Sequence, residues 1–109
     1  MDEAGRIVPC RVPGLGEFAF EVQRRTDRYI SRALVEHGIW EAFETELVRR
    51  LVEPGALFVD SGANLGWYTV IAARLGARVV AFEPEAENFR VLKANVTRNA
   101  GPATCLLLG

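Results

Sequence analysis

One histidine and two cysteines are all that 109 residues supply of the usual metal ligands and redox groups. Cys10 and Cys105 lie 95 positions apart, a spacing that fits neither a zinc site nor a redox pair. Free thiols in a reducing compartment, and hence a cytoplasmic protein, are the expectation. No apolar stretch approaches the ~18–20 residues that a membrane helix needs. The acidic start, Met1-Asp2-Glu3, with no long apolar run behind it, does not read as a secretory signal. Charge of one sign is lacking too. The net charge is −1, which gives no electrostatic case for nucleic acid or an anionic membrane as the main partner. Arginine supplies 12 of the 13 basic residues, scattered along the chain as on solvated helix and loop faces.

What is present is ordinary globular material, half hydrophobic and a quarter charged, sufficient for one domain or part of one. Residues 1–16 contain Gly5, Pro9, Pro13, Gly14 and Gly16, too much punctuation for a long element. Residues 17–22 alternate polar and apolar and read as a short strand. Thr26 or Asp27 can cap a helix whose apolar face is Tyr29, Ile30, Ala33 and Leu34 and which Gly38 ends. A second helix runs over about 41–51, with Phe43, Leu47 and Leu51 at four-residue spacing and Glu46 and Arg50 as a surface pair. Pro54-Gly55 then turns the chain.

From there strand and helix alternate. Residues 56–60 read as a buried strand covered on both faces, and Trp67, Val70, Ile71 and Leu75 as a helix stopped by Gly76. Residues 78–82 form the next strand. Pro84 suits a first helical position, Phe89, Leu92 and Val96 continue that helix, and residues 99–102 end it. A third strand occupies 103–108. This βαβαβ order implies parallel strands with right-handed crossovers, which is half of a doubly wound sheet. The expectation is that the other half comes from a longer chain, or that a small domain is closed by dimerisation.

Two strands end on carboxylates, Asp60 and Glu83, 23 positions apart. In open α/β sheets, ligands bind beyond such strand ends. Gly62 allows close backbone approach, and Gly66 opens a helix whose free N–H groups favour an anionic group. Glu83 can accept from both hydroxyls of a ribose. The dinucleotide fingerprint would want G-x-G-x-x-G. Here Asn64 stands in the middle, and Asp60 would repel a pyrophosphate but suit the cationic methionine portion of S-adenosylmethionine. An NAD-binding half of an oxidoreductase remains the alternative enzyme, a truncated module that binds partners without catalysis the non-enzyme alternative, and a helix-capping turn with no ligand an alternative for Asp60 and Ser61.

The run Val59-Asp60-Ser61-Gly62-Ala63-Asn64-Leu65-Gly66-Trp67-Tyr68-Thr69, followed by Ala81-Phe82-Glu83-Pro84 and Glu87-Asn88-Phe89 with Leu92 and Asn95, resembles the FkbM-type S-adenosylmethionine-dependent methyltransferases. Gly38-Ile39-Trp40-Glu41 and Pro54-Gly55 resemble what precedes the loop in that family; Ser61 departs from its usual apolar residue. The resemblance implies an α/β fold with the Rossmann-like parallel sheet of class I methyltransferases, first half only, preceded by a short strand and two helices. It divides the chain into an N-terminal extension, 1–55, and the first half of a cofactor domain, 56–109. It implies that Asp60, Gly62, Asn64 and Gly66, with Ala63, line the methionine part of S-adenosylmethionine, and that Glu83, followed by Pro84, holds the ribose. Tyr68 stands either beside the cofactor or in the core. The implied activity is O-methyl transfer to a small-molecule acceptor, a hydroxyl of a sugar or natural product. The family's later acidic strand end and acceptor-binding segments have no counterpart in this sequence, and no residue stands out as the catalytic base. His37, before Gly38, suits a helix C-terminus, and Trp40 and Trp67 suit packing.

Overall fold

The computed structural model describes residues 5–23, 25, 27–101 and 104–109. Its first element is a hairpin. Strands β1 (Ile7–Val12) and β2 (Gly16–Glu21) pair antiparallel, with Ile7 opposite Glu21 and Val12 opposite Gly16. The strand expected at 17–22 is therefore the second arm of a pair, and the punctuated segment before it holds the first. Val8, Cys10 and Val12 alternate inward along β1. Pro9 is tolerated because β1 is an edge strand. Gly14 and Gly16, with φ of 84° and 117°, make the turn.

Helix α1 (Tyr29–His37) begins where Asp27 Oδ2 accepts from the Ser31 backbone N–H at 2.8 Å and from its hydroxyl at 3.1 Å. The N-cap itself is Arg28, which makes no side-chain cap bond, so the cap expected at Thr26 or Asp27 is displaced by a residue: Asp27 holds the first turn from one place before it, and Thr26 lies outside the described residues. Gly38, at φ 70°, closes α1 in the left-handed conformation. Helix α2 (Ala42–Leu51) follows. Its expected apolar stripe does not pack: Phe43, Leu47 and Leu51 are exposed, and the side that meets the core carries Thr45 and Val48. Thr45 is chosen over a larger residue by the hydrogen bonds described below.

Strands β3 (Leu57–Ser61), β4 (Arg78–Phe82) and β5 (Cys105–Leu108) form a parallel sheet in that order, with Asp60 opposite Ala81 and Phe82 opposite Leu108. The crossovers are α3 (Trp67–Arg74) and α4 (Ala86–Asn99). Pro84 is not the first helical residue. Glu85 is the N-cap, its carboxylate accepting from Asn88 N at 2.8 Å, so Pro84 stands one place before the cap. Pro102 and Ala103, placed above at the end of α4 and the start of β5, lie outside the described residues.

The core lies between the sheet, α3, α4 and the hairpin. Val79, Ala81, Ile71, Leu92 and Val96 are buried there, and Trp67 packs against Phe20 with ring centroids 5.1 Å apart. Two asparagines of α4 tie the hairpin down. Asn95 Oδ1 accepts from Glu21 N at 2.7 Å, and Asn99 exchanges both bonds with Ala19, at 2.8 and 3.0 Å. A buried side-chain amide has a donor and an acceptor, so it can satisfy the free edge of a strand as another strand would. The opposite face of the sheet is open: Leu57, Val59 and Leu106 are 60%, 58% and 56% exposed. The strand expected to be covered on both faces is covered on one among the described residues.

Candidate functional site

The candidate site is the loop between β3 and α3. Gly62, Asn64 and Gly66 take φ of 68°, 52° and 97°. Asn is the residue after glycine that best tolerates this left-handed region. The three turns draw the loop back over the end of β4, where Ala63 N donates to Phe82 O at 2.9 Å and Asn64 N to Glu83 Oε1 at 2.7 Å. From beneath, Asn95 Nδ2 donates to Leu65 O at 2.8 Å. One helix side chain therefore holds both the loop and the hairpin.

The two glycines at the ends of the loop have different surroundings. A Cβ on Gly62 would meet nothing within 4 Å, whereas one on Gly66 would lie 2.8 Å from Leu92 Cδ1. Gly62 leaves space above the backbone; Gly66 lets α3 pack against α4.

Glu83 is only 4% exposed, and its two carboxylate oxygens accept from Asn64 N and, at 2.9 Å, from Glu85 N. Its first role here is to hold the loop against the start of α4. Each oxygen keeps a further lone-pair site. Asp60 sits at the end of the neighbouring strand, half-buried, and accepts from the Thr69 hydroxyl at 2.7 Å. Burial raises its pKa above the ordinary carboxylate value; Thr69 works against that rise, and the nearby Glu83 adds to it. The two acidic strand ends thus come together, one satisfied by backbone and one left with unfavourable ionisation.

Tyr68, in the first turn of α3, donates to Glu41 Oε1 at 2.6 Å. Its own pKa is raised, by burial and then by Glu41. Beside it, Trp67 Nε1 donates to Thr45 Oγ1 at 2.9 Å, and Thr45 Oγ1 donates to Trp40 O at 2.7 Å. These bonds clamp the start of α2 onto the start of α3. Trp67 is fully buried and Trp40 half-buried against the core, as packing residues. His37 lies exposed in the last turn of α1. Pro84 is exposed between Glu83 and the α4 cap. Thr69, Asn95 and Glu41 stood among the residues that carry the family resemblance without a role of their own, and Thr45 did not emerge from the sequence at all. Asn95 carried a signal, a polar residue in the apolar stripe of α4.

Among the described residues no cluster of three His, Cys, Asp or Glu side chains has the geometry to hold a metal ion, and no helix is long and apolar enough to cross a membrane. A cavity of about 780 Å³ lies elsewhere, against Arg28, Tyr29, Arg32 and Glu36 of α1.

No protein-family model and no curated protein matches this chain. Solved structures do. Trm5b of Pyrococcus abyssi has a TM-score of 0.68 at 16% identity, over 94% of this chain and 27% of its own. TYW2 of Pyrococcus horikoshii, solved with MeSAdo, has 0.65 at 16%, over 97% and 36%. The tRNA (uracil-54, C5)-methyltransferase of Pyrococcus abyssi, solved with S-adenosyl-L-homocysteine, has 0.63 at 15%, over 94% and 24%. The chain therefore has a methyltransferase-type Rossmann-like fold. It spans little more than a third of the length of these structures at most.

Proposed function

We propose that this chain is the cofactor-binding half of an S-adenosylmethionine-dependent methyltransferase, with 1–55 as an N-terminal extension and 56–109 as the first half of the cofactor domain. The observation that carries the reading is the pair of adjacent strand-end carboxylates beneath a loop with open space at Gly62. Asp60, costly to ionise alone, is better matched to a cationic ligand than to a pyrophosphate. The polar groups suit the cofactor: the Asp60 carboxylate toward the sulfonium side, Glu83 accepting with its remaining lone pairs from the ribose, and Gly62, Ala63, Asn64 and Gly66 as the backbone cradle. The fold neighbours solved with MeSAdo and S-adenosyl-L-homocysteine support the same choice.

Bound S-adenosylmethionine would supply an electrophilic methyl group, and this chain would supply alignment. Holding donor and acceptor in line carries much of the rate of such a transfer. Asn95, Glu83 and Thr69 fix the loop and Asp60 from three sides, so little reorganisation is left for the moment of binding. The motif resemblance to FkbM-type enzymes supports a hydroxyl of a sugar or natural product as acceptor. The net charge of −1 supports a small molecule over nucleic acid. The tRNA named for one fold neighbour favours the second reading, an RNA acceptor. Filter binding of tRNA to the chain decides between them.

Calorimetry against S-adenosylhomocysteine and NADH tests the cofactor. S-adenosylhomocysteine should bind and NADH should not. Asp60→Asn and Glu83→Ala should weaken binding, the latter by about a hundredfold if two charge-assisted bonds are lost. Preference for NADH would reverse the reading in favour of an oxidoreductase half.

A further inference from the structure

Only two non-glycine residues among those described have positive φ: Asn64, at 52°, and Glu41, at 46°. Backbone strain of this kind persists where surrounding structure enforces it, and it concentrates at functional sites. Asn64 shapes the loop. Glu41 is in a different segment, immediately before α2, and gives no N-cap hydrogen bond to justify its conformation. Its side chain instead reaches Tyr68, four residues beyond Asn64, and is held there at 2.6 Å. The Trp67–Thr45–Trp40 relay fixes the same junction from the buried side. The result is an exposed carboxylate secured at the α3 end of the loop, while Glu83 secures the β4 end.

We propose that Glu41 is a binding residue for the amino-acid end of the cofactor, its carboxylate accepting from the α-ammonium group while Tyr68 orients it. This rests on the S-adenosylmethionine reading above. A nucleoside held by its ribose at Glu83 and crossing the loop carries its amino-acid tail toward the start of α3, where Glu41 stands. The carboxylate keeps lone-pair sites beyond the one Tyr68 uses, and an ammonium is a compact donor that matches them.

The test compares two ligands that differ by this tail. S-adenosylhomocysteine has the ammonium; 5′-methylthioadenosine lacks the amino-acid end. In Glu41→Gln the side chain still accepts from Tyr68, but the charge is gone. S-adenosylhomocysteine should bind roughly tenfold more weakly, the scale of one charge-assisted bond, with less difference at high salt. Affinity for 5′-methylthioadenosine should stay the same. Glu41→Gly relieves the left-handed strain, so it should keep or raise the melting temperature while losing the same affinity for S-adenosylhomocysteine. Equal weakening of both ligands, or of neither, overturns the assignment of Glu41. Failure of the unaltered chain to bind either ligand overturns the cofactor reading, and this assignment with it.

Discussion

The two faces of the three-stranded sheet are built from the same kinds of residue and meet opposite surroundings. On one face, Val79 and Ala81 are buried under α3 and α4. On the other, Leu57, Val59, Leu106 and Leu108 are exposed. A strand's side-chain alternation states which residues share a face, but not whether anything covers it. The difference also separates two kinds of information in the loop. Asp60 points to the covered side and is held by Thr69, whereas Ser61, the next residue, is exposed on the other.

The largest expected effect lies on the covered side. Leu92 is fully buried in α4 and fills the space against Gly66. Leu92→Ala should destabilise the chain by about 2–5 kcal/mol, read by urea denaturation. The glycines sharpen the contrast at a smaller scale. Alanine at Gly62 incurs only the positive-φ penalty, about 1 kcal/mol. Alanine at Gly66 adds an overlap with Leu92 and should cost about 2–4 kcal/mol. Equal losses at the two positions would contradict the division into a glycine with open space above it and a packing glycine.

Asp60 supplies a pH signature that Ser61 should not. Its folded-state pKa is raised above 3.8, chiefly by burial, so the folded chain holds this proton more tightly than the unfolded chain. Stability linked to Asp60 therefore falls as pH rises from about 4 through the raised pKa, and the penalty persists above it. Asp60→Asn removes that slope and should be at least as stable as the parent at neutral pH, while weakening S-adenosylhomocysteine roughly tenfold. Urea midpoints across the acid range test it. A Ser61→Asp chain, with its new carboxylate in solvent, should show no added dependence of this sign.

Much of this was legible in the sequence because local signals agreed. Gly38 and Gly76 marked helix ends, and Asp60, Glu83 and the glycines at 62 and 66 marked where β3 and β4 end and the loop turns. The first strand was hidden because Pro9 and the glycines around it resemble loop punctuation, while the edge position that makes Pro9 acceptable is a tertiary fact. The α2 stripe misled for the reverse reason. Phe43, Leu47 and Leu51 have helical spacing, but the packed side was chosen by Thr45, which bonds Trp67. Glu83 was legible as a strand-end carboxylate, yet its bonds to Asn64 and Glu85 depend on how the loop folds back. No periodicity encodes that, nor the left-handed turn of Glu41.

The smallest expected stability effect probes the open face directly. Val59→Thr keeps the β-branched shape suited to a strand, and Leu106→Gln keeps much of the length. With both positions more than half exposed, little apolar area leaves a packed environment, so each change should shift unfolding by no more than about 0.5 kcal/mol. Self-association should respond more than stability, because a contiguous apolar face drives association that polar replacements weaken. Sedimentation velocity on the parent and the double variant, beside urea denaturation of both, separates the two quantities. A loss near that of Leu92→Ala would mean that the face is covered in solution, by a second copy if the loss depends on concentration and by the chain itself if it does not. The contrast between the faces would then be one of partner, not of packing.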